Sequence, residues 1–504
     1  MRKKAAIISL IILLELSCCF FSFADDASMK NGAFSFELKG NGTAVITGFD
    51  WDSNNHNDIY IPKLIDGHQV SEIGAYAFSS KDFSDQSTSE GIQFVPGSIG
   101  ESVVVVIPDT VTVIGEKAFY CTKVQAVTIP ASVEFIGSGA FAGCTSIENH
   151  NVDSNNKVYT TIKGVLYDKT KKELVSFPAG RKNYYKAEMP EGITSVGEFA
   201  YAGCTPTVVS FPSSLVEVGD YAFYHTDVTG VYLSRLSNVK KIGDYSFAYC
   251  HINLGNTVIE NVGAYAFYNA DISDSGKDKT ARESERLLFG SVKIIGDHAF
   301  SNAKLTLDTG KIAFPSSLVE IGEYAFWGIS PASNYRQYYH MDFSQTKLTS
   351  IPEYAFSKAV IDFLYLPETI TQIERFAFSR CKVQARIRIP NNVTAIDEHA
   401  FEYSSAELKE GSKIKSIGDY AFYNSTGVGG LPEGLVSIGE KAFWFDGSNR
   451  KVSIPSTVTS IGDDVCNRSG TILIVVPDSY GAQYASDNGY QIEGAEEDLS
   501  WLEN

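Results

Sequence analysis

The groups in this 504-residue chain that could ligate a metal or move a proton are eight histidines, eight cysteines and 60 carboxylates. Their spacing assembles no reactive site. No two histidines fall at i, i+4, and no Cys/His pair has the spacing of a zinc site. There is no Gly-x-Ser-x-Gly elbow, no P-loop and no dinucleotide fingerprint. The carboxylates follow a repeat, so no pair stands apart as an acid/base couple. The expectation is a protein that is not an enzyme and holds no cofactor or metal. One cluster, Asp50-Trp51-Asp52-Ser53-Asn54-Asn55-His56-Asn57-Asp58, begins like a calcium loop. Asn55 stands where such a loop needs its sharp-turn glycine, however, and Ile61 where it needs the closing glutamate. An Asx-rich turn joining two strands is the competing reading.

Binding chemistry is better represented than catalysis. A short β-rich run closed by proline recurs as Val105-Val106-Ile107-Pro108, Val127-Thr128-Ile129-Pro130, Ile387-Arg388-Ile389-Pro390 and Val452-Ser453-Ile454-Pro455. Alternation turns the residue between the two aliphatics outward. Most of these outward residues are small, such as Thr128, Ser210, Ala313 and Ser453. In mid-chain they become Tyr232, Tyr365 and Arg388, with Phe363 and Arg386 one outward step upstream. An insertion at 331–343 adds Tyr335, Tyr338 and Tyr339 as an expected rim. Tyr and Arg are the residues that anchor protein interfaces. Strand surfaces also favour aromatics for packing alone, which is the alternative.

The elements that position these residues come from a phrase of Ile-Gly, two residues, then Ala-Phe. It occurs in fifteen versions, from Gly74 to Gly462, most often 20–24 residues apart. A period of this length means a solenoid, whose coils each need neighbours to bury their apolar face. The prolines end strands that pair in parallel along the axis. The Ile-Gly phrase reads as entry to a short helical or 3-10 turn on the opposite side. An acid follows the glycine position in eleven coils, which suits the positive first turn of a helix. Pro352, Glu374 and Asp397 replace the glycine, so small size or a helix-start preference explains it better than a left-handed backbone. The aromatic is Phe in thirteen coils, Tyr201 in one and Cys466 in the last, and stacked coils should align the rings into a spine. His298 and His399 share the slot just before the alanine, where Tyr and Lys also occur, and read as exposed and variable.

These motifs resemble the BspA-like leucine-rich repeats of bacterial surface proteins over about residues 35 to 495. The resemblance includes an opening segment Gly42-Thr43-Ala44-Val45-Ile46-Thr47-Gly48 and an inserted hairpin Gly164-Val165-Leu166-Tyr167-Asp168 with Phe177-Pro178. It also takes in a closing segment, Tyr484-Ala485-Ser486-Asp487-Asn488-Gly489-Tyr490. It implies a right-handed leucine-rich-repeat-like stack of about fifteen coils, with a parallel sheet on one face, short turns on the other and a small β cap. It further implies adhesion to host extracellular matrix or to another cell surface. A structural or envelope-spacing scaffold and a carbohydrate-capturing surface protein are the competing functions.

Arg2, Lys3 and Lys4 before an apolar run, with Ser22-Phe23-Ala24 before Asp25, predict a secretory signal peptide. Lipidation at Cys19 of Leu16-Ser17-Cys18-Cys19 is the alternative, giving an outer-membrane lipoprotein rather than a released protein. The expected divisions are signal peptide 1–24, N-terminal cap 25–70, solenoid 71–475 and C-terminal cap with tail 476–504. No later segment is apolar enough to span a bilayer. A net charge of −18 disfavours nucleic acid and anionic lipid as partners and keeps an elongated monomer soluble. Cys121, Cys144, Cys204, Cys250 and Cys381 follow the aromatic by two or three residues, where Ala and Ser also occur, so they read as small buried fillers rather than disulfides.

Overall fold

A computed structural model describes the chain apart from residues 1–28, 55–57, 80–86, 89–90, 93–101, 182–186, 206–208, 227–230, 233–235, 237, 254–257, 274–289, 307–310, 333–338, 409–410, 429, 448–449 and 495–504. The expected signal peptide, Cys18 and Cys19 therefore lie outside the described residues, as do Tyr335 and Tyr338. The chain forms a parallel β-solenoid of about 17 turns with little helix. The coil carrying Phe177 joins the stack without the repeated phrase, through the strand Glu173–Ser176 pairing in parallel with Ser195–Val196.

Each coil contributes to two parallel ladders, one more than the sequence suggested. The first holds the expected strands before proline, such as Val104–Val106 and Ala126–Ile129, paired in parallel. The second is built from the residue pair ending in the isoleucine of the phrase. Val113–Ile114 pairs with Phe135–Ile136, and Gln372–Ile373 with Ala395–Ile396, isoleucine on isoleucine. Two residues are a weak periodic signal, which is why this ladder escaped the sequence reading.

Glycine then closes the coil spacing. A Cβ on Gly115 would stand 2.6 Å from the backbone N of Ala75, and one on Gly418 2.6 Å from that of Glu398. Neither residue has a positive φ, so of the two expected reasons for glycine it is small size, and not a helix start, that the close backbone approach supports. The amide of Gly115 donates to Ile73 O at 2.7 Å. Pro352 gives this bond up, while Glu374 and Asp397 keep it at 2.9 Å.

The turn face consists of chained β-turns, with little helix in them. Ala118 donates to Gly115 O, Tyr120 to Lys117 O and Thr122 to Phe119 O. The residue before the alanine is left-handed in all fifteen copies of the phrase, with φ from 48° to 57° at the non-glycine positions. That conformation aims its amide along the axis, so that Tyr245 donates to Ala264 O at 2.9 Å and His298 to Glu323 O at 2.8 Å. The acids after the glycine thus have a different task from the one expected. The Asp220, Asp244, Asp297 and Asp419 carboxylates accept the amide at the matching position of the following coil, at 2.7–2.9 Å. With no helix there, a short acidic side chain finds its free N–H one coil further on.

The aromatic spine runs through the buried core. Phe78, Phe119 and Phe141 stack, and after the hairpin so do Phe177, Tyr201, Phe223, Phe247 and the rings onward to Phe443. The meander Tyr159–Ile162, Val165–Asp168 and Glu173–Ser176 interrupts it and separates the two larger apolar clusters, while a smaller third one joins Tyr120 and Ala142 to Phe199 and Tyr224 across it. At the seam His150 packs 5.2 Å from the Phe141 ring, with Nε2 3.1 Å from Ser176 Oγ. At the far end Ser479 caps the helix Tyr480–Asp487. Two phenols complete the last coil. Val465 donates to Tyr484 Oη and Cys466 to Tyr490 Oη, while those hydroxyls donate to Gly462 O and Cys466 O.

Candidate binding surface

Four neighbouring strands of the proline-closed ladder carry most of the residues singled out from sequence. They are His340–Asp342, Phe363–Tyr365, Ile387–Arg388 and Ala406–Glu407. His340 lies beside Phe363 and Asp342 beside Tyr365; one strand further, Arg388 lies beside Glu407. Alternation buries Met341, Leu364, Ile387 and Ala406 and turns their neighbours outward. Tyr365 is 44% exposed. The Arg388 side chain is 73% exposed, with Nε 3.6 Å from Glu407 Oε2. Arg386 is exposed and lies over the backbone of Gly427, where a Cβ would collide with it. Phe363 is half-buried, its ring 4.5 Å from that of His340.

Phe363, Tyr365, Arg386 and Arg388 thus form one patch on successive strands. Tyr232 does not join it: its strand, Val231–Tyr232, pairs with His251–Asn253 several coils earlier. Tyr339 is not a rim residue. It is 2% exposed and donates from its hydroxyl to Leu305 O at 3.1 Å, because the alternation that turns His340 outward turns Tyr339 inward. Lys311 Nζ sits 3.2 Å from Asp342 Oδ2 on the far side of the patch. Hydrogen bonds from Ser344 and the nearby Lys311 cation hold the Asp342 carboxyl below its usual range, against the opposing effect of partial burial.

Sequence reasoning missed several members of this surface. Arg380 and Lys382 are exposed on the same coil as Arg386 and Arg388. The Arg380 guanidinium lies 5.0 Å over the Tyr403 ring, and Lys358 Nζ lies 4.6 Å over Trp327. The signal was available in the alternation Arg380-Cys381-Lys382-Val383-Gln384, which continues the outward cations of the following strand back into the loop.

His298 and His399 are half-buried members of a ring column, which corrects their reading as an exposed variable slot. Ten rings stack from Phe199 to Tyr420 at centroid spacings of 4.4–4.8 Å. Lys117 lies over Phe199 at one end and Lys441 over Tyr420 at the other. Burial pushes the His298 imidazole below its ordinary pKa, with Asp297 opposing.

The remaining candidates have structural roles. Asp50 accepts from the Asp52 amide and Asp58 from that of Val104, so both carboxylates cap backbone. Among the described residues no group of three or more His, Cys, Asp or Glu is placed to hold a metal. The six cysteines among the described residues are buried and form no disulfide, and burial pushes the thiols of Cys144 and Cys381 up to about 12. Cys144 and Cys250 donate to the carbonyls of Phe119 and Phe223, the bond that Thr226 makes to Tyr201 O, while Ser404 donates instead to Cys381 O. A cleft of about 310 Å³ is lined by Tyr60, Pro62 and Leu64, and one of about 100 Å³ by Phe135, Ser138, Lys171, Glu173 and Glu198.

A family model for the BspA type leucine rich repeat region, six copies long, matches residues 71–186, 176–289, 283–407 and 349–472. No curated protein matches the chain. Among solved structures, a leucine rich cell surface protein from Faecalibacterium prausnitzii A2-165 is 20% identical. That match covers 95% of this chain and 98% of that one, with a TM-score of 0.34. A leucine-rich repeat protein from Bacteroides ovatus ATCC 8483 is 17% identical over 93% and 100% of the two chains, with a TM-score of 0.37. One from Eubacterium ventriosum ATCC 27560 is 15% identical over 79% and 94%, with a TM-score of 0.23.

Proposed function

Because the chain belongs to the BspA-type leucine-rich repeat family, we propose that it is a secreted or cell-surface adhesive protein. Its ligand in this reading is a protein of host matrix or of another cell. The observation that carries the reading is the patch of Phe363, Tyr365, Arg386 and Arg388 on a rigid parallel ladder. Large aromatic and guanidinium groups supply contact area and directional hydrogen bonds, and a packed solenoid holds them with little entropy left to lose on binding. The reading takes residues 1–24 as a leader that is removed, leaving a cap, a solenoid and a closing segment with the boundaries given above. Among the described residues no helix is long and apolar enough to cross a membrane.

The test uses the mature chain on immobilised matrix proteins and on whole bacterial cells. Tyr365→Ala combined with Arg388→Ala is expected to abolish most adhesion with little change in melting temperature, since both side chains project outward. Thr128→Ala with Ser453→Ala, on the same ladder, should leave adhesion intact. Adhesion retained by the first pair, or lost only together with unfolding, would remove the patch from the function.

A further inference from the structure

Residues 375–396 contain five Lys and Arg and no Asp or Glu, in a chain of net charge −18. Four of the five stand on alternate positions of one coil: Arg380, Lys382, Arg386 and Arg388, with Gln384 between them. All are exposed, while Cys381, Ile387 and Ile389 beneath them are buried. Lys358 lies beside Arg380 on the preceding coil, where its amide donates to Ser379 O. Arg388 has its one carboxylate neighbour in Glu407, and Lys358, Arg380, Lys382 and Arg386 form no ion pair with a described carboxylate. Cations elsewhere on the solenoid are often neutralised in place, as Lys241 is by Glu217 and Lys293 by Glu260.

The shape of this strip limits what it fits. It is one coil wide, because Asp362 adjoins it on the coil before, and Glu402 and Glu407 on the coil after. A long polyanion running along the axis would meet those carboxylates and then the acidic body. A segment laid along the coil meets Arg386 and Arg388 on the strand side of the bend at Gln384 and Ala385, and Lys382 and Arg380 beyond it. Residues on one face of an extended chain repeat every two positions, about 6.6–6.8 Å, whether the chain is this coil or its ligand. Carboxylates on alternate residues of an extended peptide therefore match the step from Arg386 to Arg388. The Tyr403 and Trp327 rings hold the Arg380 and Lys358 heads before any ligand arrives, which lowers the ordering cost of binding.

We infer that the coil from Arg380 to Arg388 is a docking track for a short acidic polypeptide segment in extended form, with Phe363 and Tyr365 along its flank. The inference rests on the adhesive reading and names the chemistry of its partner.

A fluorescent peptide alternating Glu and Val, its Gln-for-Glu twin and heparin are the probes, and anisotropy on the mature chain is the readout. The Glu peptide should bind at least about tenfold more tightly than its twin and weaken about tenfold between roughly 0.05 and 0.3 M salt. Arg380→Gln with Lys382→Gln and Arg386→Gln should remove that binding, whereas Lys293→Gln on the other ladder should not. All of these side chains are exposed, and matched melting curves confirm that the variants fold. Equal binding of the twin, retention by the triple variant, or preferential displacement by heparin would each overturn the inference, the last by assigning the track to sulfated polysaccharide. Loss of adhesion in the Tyr365/Arg388 pair, with normal adhesion in the triple variant, would overturn it while leaving the adhesive surface in place. Tight, salt-sensitive binding of the Glu peptide that the triple variant loses supports it, even if adhesion itself proves indifferent to Tyr365 and Arg388.

Discussion

Tyr245 illustrates what a single residue does in this fold. Its φ of 52° is a conformation that costs a side-chain-bearing residue about 1–2 kcal/mol. The conformation persists because the amide reaches Ala264 O and the ring stacks between Tyr221 and Tyr265. Tyr245→Ala should therefore be more destabilising than Tyr245→Gly, by on the order of 1 kcal/mol, the reverse of the order expected in a regular strand or helix. Chemical denaturation of the two variants measures this, and equal or inverted stabilities would show that the left-handed turn is not under strain. The Phe spine was legible from sequence because one residue type fills thirteen of the fifteen positions. The parallel column through Tyr245 was not, because Tyr, Phe, His, Lys, Gly and Asp alternate there. Ring stacking tolerates that mixture, and only the shared left-handed backbone reveals the position as one site.

At the scale of the element, the hairpin between residues 159 and 176 departs from the repeat in the middle of the stack. His150 is sealed beneath it, and burial, with the Arg181 charge adding to it, drops its pKa to about 3. An unfolded histidine titrates near 6.5. The folded value lies below the unfolded one, so the unfolded chain binds the proton more readily. The stability held by neutral His150 is thus complete above about pH 6.5 and is lost as the pH falls toward 3. Melting temperatures of wild type and His150→Asn between about pH 7 and pH 4 should converge as the pH falls. A gap that stays constant over that window would mean that His150 is not held neutral. The hairpin was foreseen from its resemblance, but the buried imidazole was not, since a lone histidine carries no periodic signal. The second ladder was missed for the same reason of length: two residues per coil define a strand only once the coils are stacked.

For the whole molecule, the sequence specified a stack of coils and an outward face but not the neighbours of each outward residue. Phe363, Tyr365, Arg386 and Arg388 were identified together because strand alternation is local. Tyr339 was assigned to the wrong side because its strand lies next to an insertion, where the register cannot be counted. Tyr232 lies several coils earlier, as its place in the sequence implied, because coil number, rather than side-chain type, decides which residues share a patch. The ion pairs that quench Lys241 and Lys293 appear only across coils, and against them stand Arg380, Lys382 and Arg386, which form no ion pair with a described carboxylate. The central claim is that ligand contact occurs on this face and not elsewhere on the ladder. Site-specific photocrosslinking tests it most directly, with a benzoyl-phenylalanine placed at position 365, 128 or 453 of the mature chain and illuminated on adherent cells or matrix. The account predicts a covalent adduct from position 365 and none from 128 or 453. Adducts in equal yield from all three positions, or only from 128 or 453, would contradict it.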